Sequence, residues 1–169
     1  MAIREVIKLP APVLRKKSNK VKDFDDELQQ LVDDMIATMR NEPGVGLAAP
    51  QVNMPLRLIV VEYPVDDRDE DAPSKLFVLA NPEIIHMSEE LVSGIEGCLS
   101  VPNILGEVER SAAVTVKGLN RFGKKQTVKA KGWLARIFQH EIDHINGILF
   151  VDRAEKLYHP DEIHTDQVV

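Results

Sequence analysis

The stretch QHEIDHINGILF, Gln139 to Phe150, sets two histidines four residues apart with a glutamate directly after the first. On an α-helix, positions i and i+4 lie above one another on one face, so the imidazoles of His140 and His144 can converge on a single point. A divalent metal ion suits that point. Glu141 lies about 100° round the helix from His140. That is too far round for an obvious ligand of the same ion, but close enough to reach a water beside it. This is the arrangement of metal-assisted hydrolysis. Two histidines on a solvated helix face would be ordinary polar residues; the intervening glutamate and the apolar neighbours argue against that reading, pending a third ligand.

Enzymes with HExxH helices differ in that third ligand. In the extended pattern HExxHxxGxxH it is a histidine. His140, Glu141, His144 and Gly147 match, but Phe150 stands where the last histidine belongs, so the metzincin pattern fails. A carboxylate from a later helix would have to be Asp152, Glu155, Asp161, Glu162 or Asp166, in a short tail of weak helical character. Upstream, the sole cysteine, Cys98, sits in GIEGCLSVP, where Gly94 and Gly97 permit unusual backbone and close approach. A strand end packed on the helix could aim its thiolate at the imidazoles. Three protein ligands with an open fourth position make a sensible catalytic site, although spacing alone does not fix this one. A lone cysteine excludes an intramolecular disulfide and is otherwise most often a small buried hydrophobe.

These residues need elements to position them. Lys131 to Asn146 has helical period, with Trp133, Leu134, Ile137, Phe138, Glu141 and Ile145 forming a broad inward face and Gly147 at the C-cap position. A second, amphipathic helix spans about Asp25 to Asn41 on Leu28, Leu31, Val32, Met35, Ile36 and Met39, and ends at Pro43 and Gly44. GVGLAAPQV, next along the chain, has side chains too small for core filler and reads as a shaped loop. From Leu56 to Gly118 the signal is β: LRLIVVE, LFVLANP, EIIHM, GEVER and AAVTVKGL, and the turn NRFG leads the last of them into KKQTVKA. The acidic, proline-containing EYPVDDRDEDAPSK, residues 62–75, reads as a mobile surface excursion. The expected fold is therefore α+β, with antiparallel strands packed around a buried helix that carries HExxH, and an amphipathic helix nearer the N-terminus.

At 169 residues the chain suits one domain, 1–169, with 152–169 as a polar tail that gives no signal of order or disorder. Hydrophobic residues make up 44% and charged residues 28%, values of an ordinary globular chain. Apolar runs are far too short for a membrane span. The start, MAIREVIKLP, lacks the pattern of a secretory signal, so the expected location is cytoplasmic, with no membrane partner. With 21 basic against 27 acidic residues and no Lys/Arg stripe interleaved with aromatics, direct nucleic-acid binding has little support.

GVGLAAPQ, EGCLS and QHEIDH together resemble the three signature motifs of the peptide deformylases, in order and at suitable separations, with the only cysteine inside one of them. The resemblance covers the layout to about residue 152. It implies removal of the formyl group from the N-terminal methionine of new polypeptides. Cys98, His140 and His144 would hold one divalent ion, Fe(II) as the native one, with Zn, Ni or Co able to replace it. Glu141 would take a proton from water and deliver it to the departing amine. The Gln51 side-chain amide and the Leu99 backbone N–H would meet the charge that develops on the formyl oxygen. Gly44, Val45 and Gly46 would pair with an extended substrate, and Val45, Trp133 and Ile137 are candidates for a methionine pocket, although each could equally be core. The partners implied are N-formyl-methionyl nascent chains, with transient ribosome contact. The tail from Val151 to Val169 carries two basic and five acidic side chains, which speaks against docking to RNA through that segment. Two other readings are a metallopeptidase or amidase with the same metal site, and a non-catalytic metal-stabilised binding protein. The presence of both Glu141 and Gln51 argues against the latter.

Overall fold

The computed structural model describes residues 1–66, 68–163 and 169. Helix α1, Asp26–Asn41, starts where the Asp25 carboxylate accepts a 3.0 Å hydrogen bond from the Leu28 amide. Such a side-chain cap is worth roughly 1 kcal/mol. Asp26 and Glu27 in the first turn and Arg40 in the last complement the helix dipole. All six apolar positions that define its period are buried.

The strands are β1 (Gly46–Ala48), β2 (Leu58–Pro64), β3 (Ser74–Met87), β4 (Leu91–Cys98), β5 (Val101–Ser111), β6 (Ala113–Leu119), β7 (Lys125–Lys131) and β8 (Lys156–Tyr158). They form two antiparallel sheets, β1-β2-β3-β6-β7 and β4-β5-β8. Helix α2, Gly132–Ile145, follows β7 directly, and the four-residue helix α3, Phe150–Arg153, follows α2. The inner face of the first sheet contributes Ile59, Val61, Phe77 and Leu79 to a core completed by Leu134, Ile137, Phe138 and Ile145 of α2. The opposite face packs on α1. Phe77 and Phe138 meet edge-to-face with centroids 5.3 Å apart, a geometry aromatic rings favour. Fully burying each such side chain stabilises by about 1.5–3 kcal/mol.

Several expectations need correction. LFVLANP and EIIHM are one 14-residue strand, β3, interrupted by register shifts between Ala80 and Glu83 and between Ile84 and His86. The proline at 82 and the left-handed Asn81 (φ 52°) imitate a strand end in sequence. The stretch LVSGIEGC, which has no simple alternation, is strand β4. GVGLAAPQV contains β1 and a 3-10 turn, Ala49–Val52, rather than loop alone. The acidic excursion is shorter than expected, because Glu62–Pro64 and Ser74–Lys75 belong to strands; residue 67 lies outside the described residues. The tail is structured through residue 163, with β8 pairing to β5, while residues 164–168, and with them Asp166, lie outside the described residues.

Candidate active site

The two-residue turn Leu99–Ser100 between β4 and β5 delivers Cys98 to the end of α2, where His140 and His144 lie one turn apart. One ligand atom from each of the three lies within 4.8 Å of the others. Cys98 Sγ is 3.3 Å from His144 Nε2. His140 Nδ1 is 2.8 Å from Glu96 Oε1. An ionised carboxylate can only accept, so Nδ1 carries a proton. In the metal-free protein burial is outweighed by the hydrogen bonds to Cys98 and Glu96, which push the ring up to about 10, and Nε2 gives up its own proton to take an ion. Burial, followed by the charges of His140 and Arg110, drives His144 well below its usual value. A neutral imidazole is the form a metal needs. These soft and borderline donors suit a divalent transition ion, and Glu141 does not join their cluster.

Glu141 is 2% exposed, and its Oε1 has no hydrogen-bond partner among the described residues. Burial pushes its carboxyl up to about 7, and the negative Glu96 adds to the rise against the pull of His140 and Arg110. A buried acid that titrates near neutrality is suited to moving protons. Gly46 makes room for it: a Cβ there would overlap the Glu141 carboxylate. Gly44, by contrast, has space for a Cβ. β1 is the terminal strand of its sheet, so the backbone from Gly44 through Gly46 runs along an edge.

Gln51 is anchored at both ends of its amide. Its Oε1 accepts from the Ala48 amide at 3.0 Å, and its Nε2 donates to Ser100 Oγ at 3.2 Å and lies 3.4 Å from Cys98 Sγ. It is therefore tied to the cysteine loop rather than being a loose loop residue. Cys98 and Leu99 line an open cleft of about 620 Å³ together with Arg4, Lys8, Glu42 and Pro102. Val45 and Trp133 are half-buried against the cluster that contains the fully buried Ile137, and none of the three is among the residues lining that cleft.

Sequence reasoning missed the support behind the histidines. Glu96, fully buried, receives Arg110 through Nε and a terminal nitrogen at 2.9 and 2.8 Å and Arg136 at 2.7 Å, besides His140. Arg110 also reaches Asp143 at 2.6 Å, and Asp143 is held again by Arg153 at 2.6 and 3.0 Å. The available signal was Glu96 itself, a charged residue two positions before the thiol on an otherwise apolar or small-residue strand end.

Residues 3–159 match the model of the family described as Polypeptide deformylase. The chain belongs to that family. It is 50% identical over 157 residues to a peptide deformylase of Symbiobacterium thermophilum, covering 93% of this chain and 69% of that one. A peptide deformylase of Agrobacterium fabrum is 45% identical over the same length, with 93% and 90% covered. Among solved structures, the Met-Ala-Ser-bound class I type b peptide deformylase of Acinetobacter baumannii superposes with a TM-score of 0.82 at 43% identity, covering 90% of this chain and 98% of that one. The family's members are metalloenzymes, and the cluster of Cys98, His140 and His144 is where this chain can hold an ion.

Proposed function

We propose that residues 1–169 form one deformylase domain that hydrolyses the N-formyl group of formyl-methionyl polypeptides, releasing formate and a free amine. The observation that carries this reading is the convergence of Cys98, His140 and His144 beside a buried carboxyl with an unused oxygen. A divalent cation held by those three residues would polarise the formyl carbonyl and lower the pKa of a water toward about 7. The assignment of Fe(II) as the native ion rests on family likeness, because Zn, Ni or Co would satisfy the same ligands.

Glu141 accepts the proton of the attacking water and passes it to the amine as the C–N bond breaks. As the formyl oxygen gains charge, the Leu99 amide and the Gln51 Nε2 donate to it. Gln51 can do so by giving up its long contact with Cys98 Sγ while the bond to Ser100 holds the amide in place. The peptide lies extended along the Gly44–Gly46 edge, pairing as an added strand. Val45 and Trp133 form the rim and Ile137 the base of the apolar seat for methionine. The Met-Ala-Ser ligand of the Acinetobacter relative supports a product of this kind. No helix among the described residues is long and apolar enough to cross a membrane. We place the enzyme in the cytoplasm, meeting nascent chains in transient contact with the ribosome.

The test is an anaerobic preparation with metal analysis, assayed on formyl-Met-Ala-Ser, acetyl-Met-Ala-Ser and unblocked Met-Ala-Ser. Formate release from the first, with the other two untouched, is expected. Equal cleavage of the acetyl peptide would make the protein a general amidase.

A further inference from the structure

Away from the metal cluster, the chain builds a second concavity. The bulge in β3 at Asn81–Pro82 is fixed by its neighbours. The Asn81 side chain accepts from the Val21 amide at 2.8 Å and donates to the Val21 carbonyl at 3.0 Å, and the Asn81 amide donates to the Arg57 carbonyl at 2.7 Å. Gly118 on β6 lets this bulge approach, since a Cβ there would sit 3.1 Å from the Ala80 carbonyl oxygen. Bulges of this kind often re-aim side chains beside a binding site.

The resulting open cleft, about 690 Å³, is lined by Lys17, Lys20, Arg57, Lys117 and Lys125, with Glu83 as the only acid among the described lining residues, its charge acting on Arg57. That balance runs against a chain whose net charge is −6. Arg57 is held in place by bonds of 3.0 Å to the Ile145 carbonyl and to Asn146 Oδ1, so one cation is pre-positioned while the exposed lysines adapt around it. Ser18, also in the lining, is 6% exposed, and its Oγ has no hydrogen-bond partner among the described residues. A buried hydroxyl without a partner is uncommon, and an enclosed water is the usual way its bonding is completed. The volume is of small-molecule size and exceeds what a single phosphate needs.

We propose that this cleft is a second binding site, for a ligand carrying consecutive phosphate groups. Arg57 grips one phosphate with its remaining donors and Lys17, Lys20, Lys117 and Lys125 neutralise its neighbours, as a fork of fixed guanidinium and mobile ammonium groups allows.

The probe is inorganic tripolyphosphate, titrated calorimetrically into the metal-loaded protein at low salt, with a short oligouridylate as competitor. Saturable binding that weakens steeply as salt rises is expected. The double variant Lys20→Glu/Lys117→Glu should bind about tenfold or more weakly, with deformylation of formyl-Met-Ala-Ser and the thermal midpoint unchanged. Lys17→Gln/Lys125→Gln is a milder pair that should show a smaller loss in the same direction. Competition by the oligouridylate would assign the phosphates to a nucleic-acid backbone, and failure to compete would assign them to a free polyphosphate. Absence of saturable binding at low salt, or parental affinity retained in both double variants, would overturn the proposal.

Discussion

In the proposed mechanism Glu141 and Gln51 act on the same few atoms and should fail in different ways. Glu141→Gln keeps shape and volume and removes the proton acceptor. Metal content should stay near normal while kcat falls about 100- to 10,000-fold, checked by metal analysis beside steady-state kinetics. Loss of metal in proportion to activity would make Glu141 a ligand. Gln51→Leu should lower kcat and kcat/KM together by about 100- to 1,000-fold with KM nearly constant. The structure adds a second consequence: the Ala48 amide loses its acceptor. An unsatisfied buried donor costs about 1–3 kcal/mol, so the variant should also unfold at lower denaturant. At this scale the sequence was informative where chemistry demands a residue type. Two histidines and a glutamate at helical spacing pointed to a metal, whereas Cys98 needed the likeness to known motifs, because nothing in linear spacing says that a thiol some forty residues upstream faces the same point. The intended pocket residues were ambiguous for a plain reason: Ile137 has the same composition whether it walls a pocket or fills a core.

Between residue and molecule stands the charged network that locks β4, β5, α2 and α3 behind His140. Glu96→Ala would leave Arg110 and Arg136 buried without their principal partner. Breaking a buried pair in this way costs about 3–5 kcal/mol, measurable as a drop in the urea midpoint. Metal affinity should fall about 10- to 100-fold because His140 loses the acceptor that orients its ring. An unaltered metal affinity in a folded variant would show that the helix alone aims the imidazole. This network was illegible in the sequence because its members are separated by up to 57 residues and follow no period. Helices α1 and α2 were legible because their apolar spacing matches the face they bury. β3 was split in the reading because the residues that make its bulge, Asn81 and Pro82, are also those that end strands.

Across the whole molecule, the N-terminal segment is held by α1. The Asp34 carboxylate accepts from the Ala2 amide and Gln30 Nε2, each at 2.7 Å, and from Arg4 Nε at 2.9 Å. Burial alone would raise its pKa, but these bonds and the Arg4 charge hold it below the usual carboxylate range. A depressed native pKa means that the unfolded chain takes the proton first. The contribution is therefore complete above the unfolded value, near 3.8, and is lost as pH falls through the native one. Denaturant midpoints should fall with acid below about pH 4, and Asp34→Asn should flatten that part of the profile. Further along, the same segment bonds to two loops of the candidate site: the Ile7 amide donates to the Gln51 carbonyl at 2.8 Å and the Leu9 amide to the Ser100 carbonyl at 2.9 Å. These two amides sit where the chain before residue 10 crosses from one loop to the other, so neither loop can drift without stretching a bond to a shared strip of backbone. In hydrogen–deuterium exchange, Ile7 and Leu9 should then behave as one opening unit, losing protection together when Asp34 is replaced, and their exchange rate would report loosening of the two loops their amides hold.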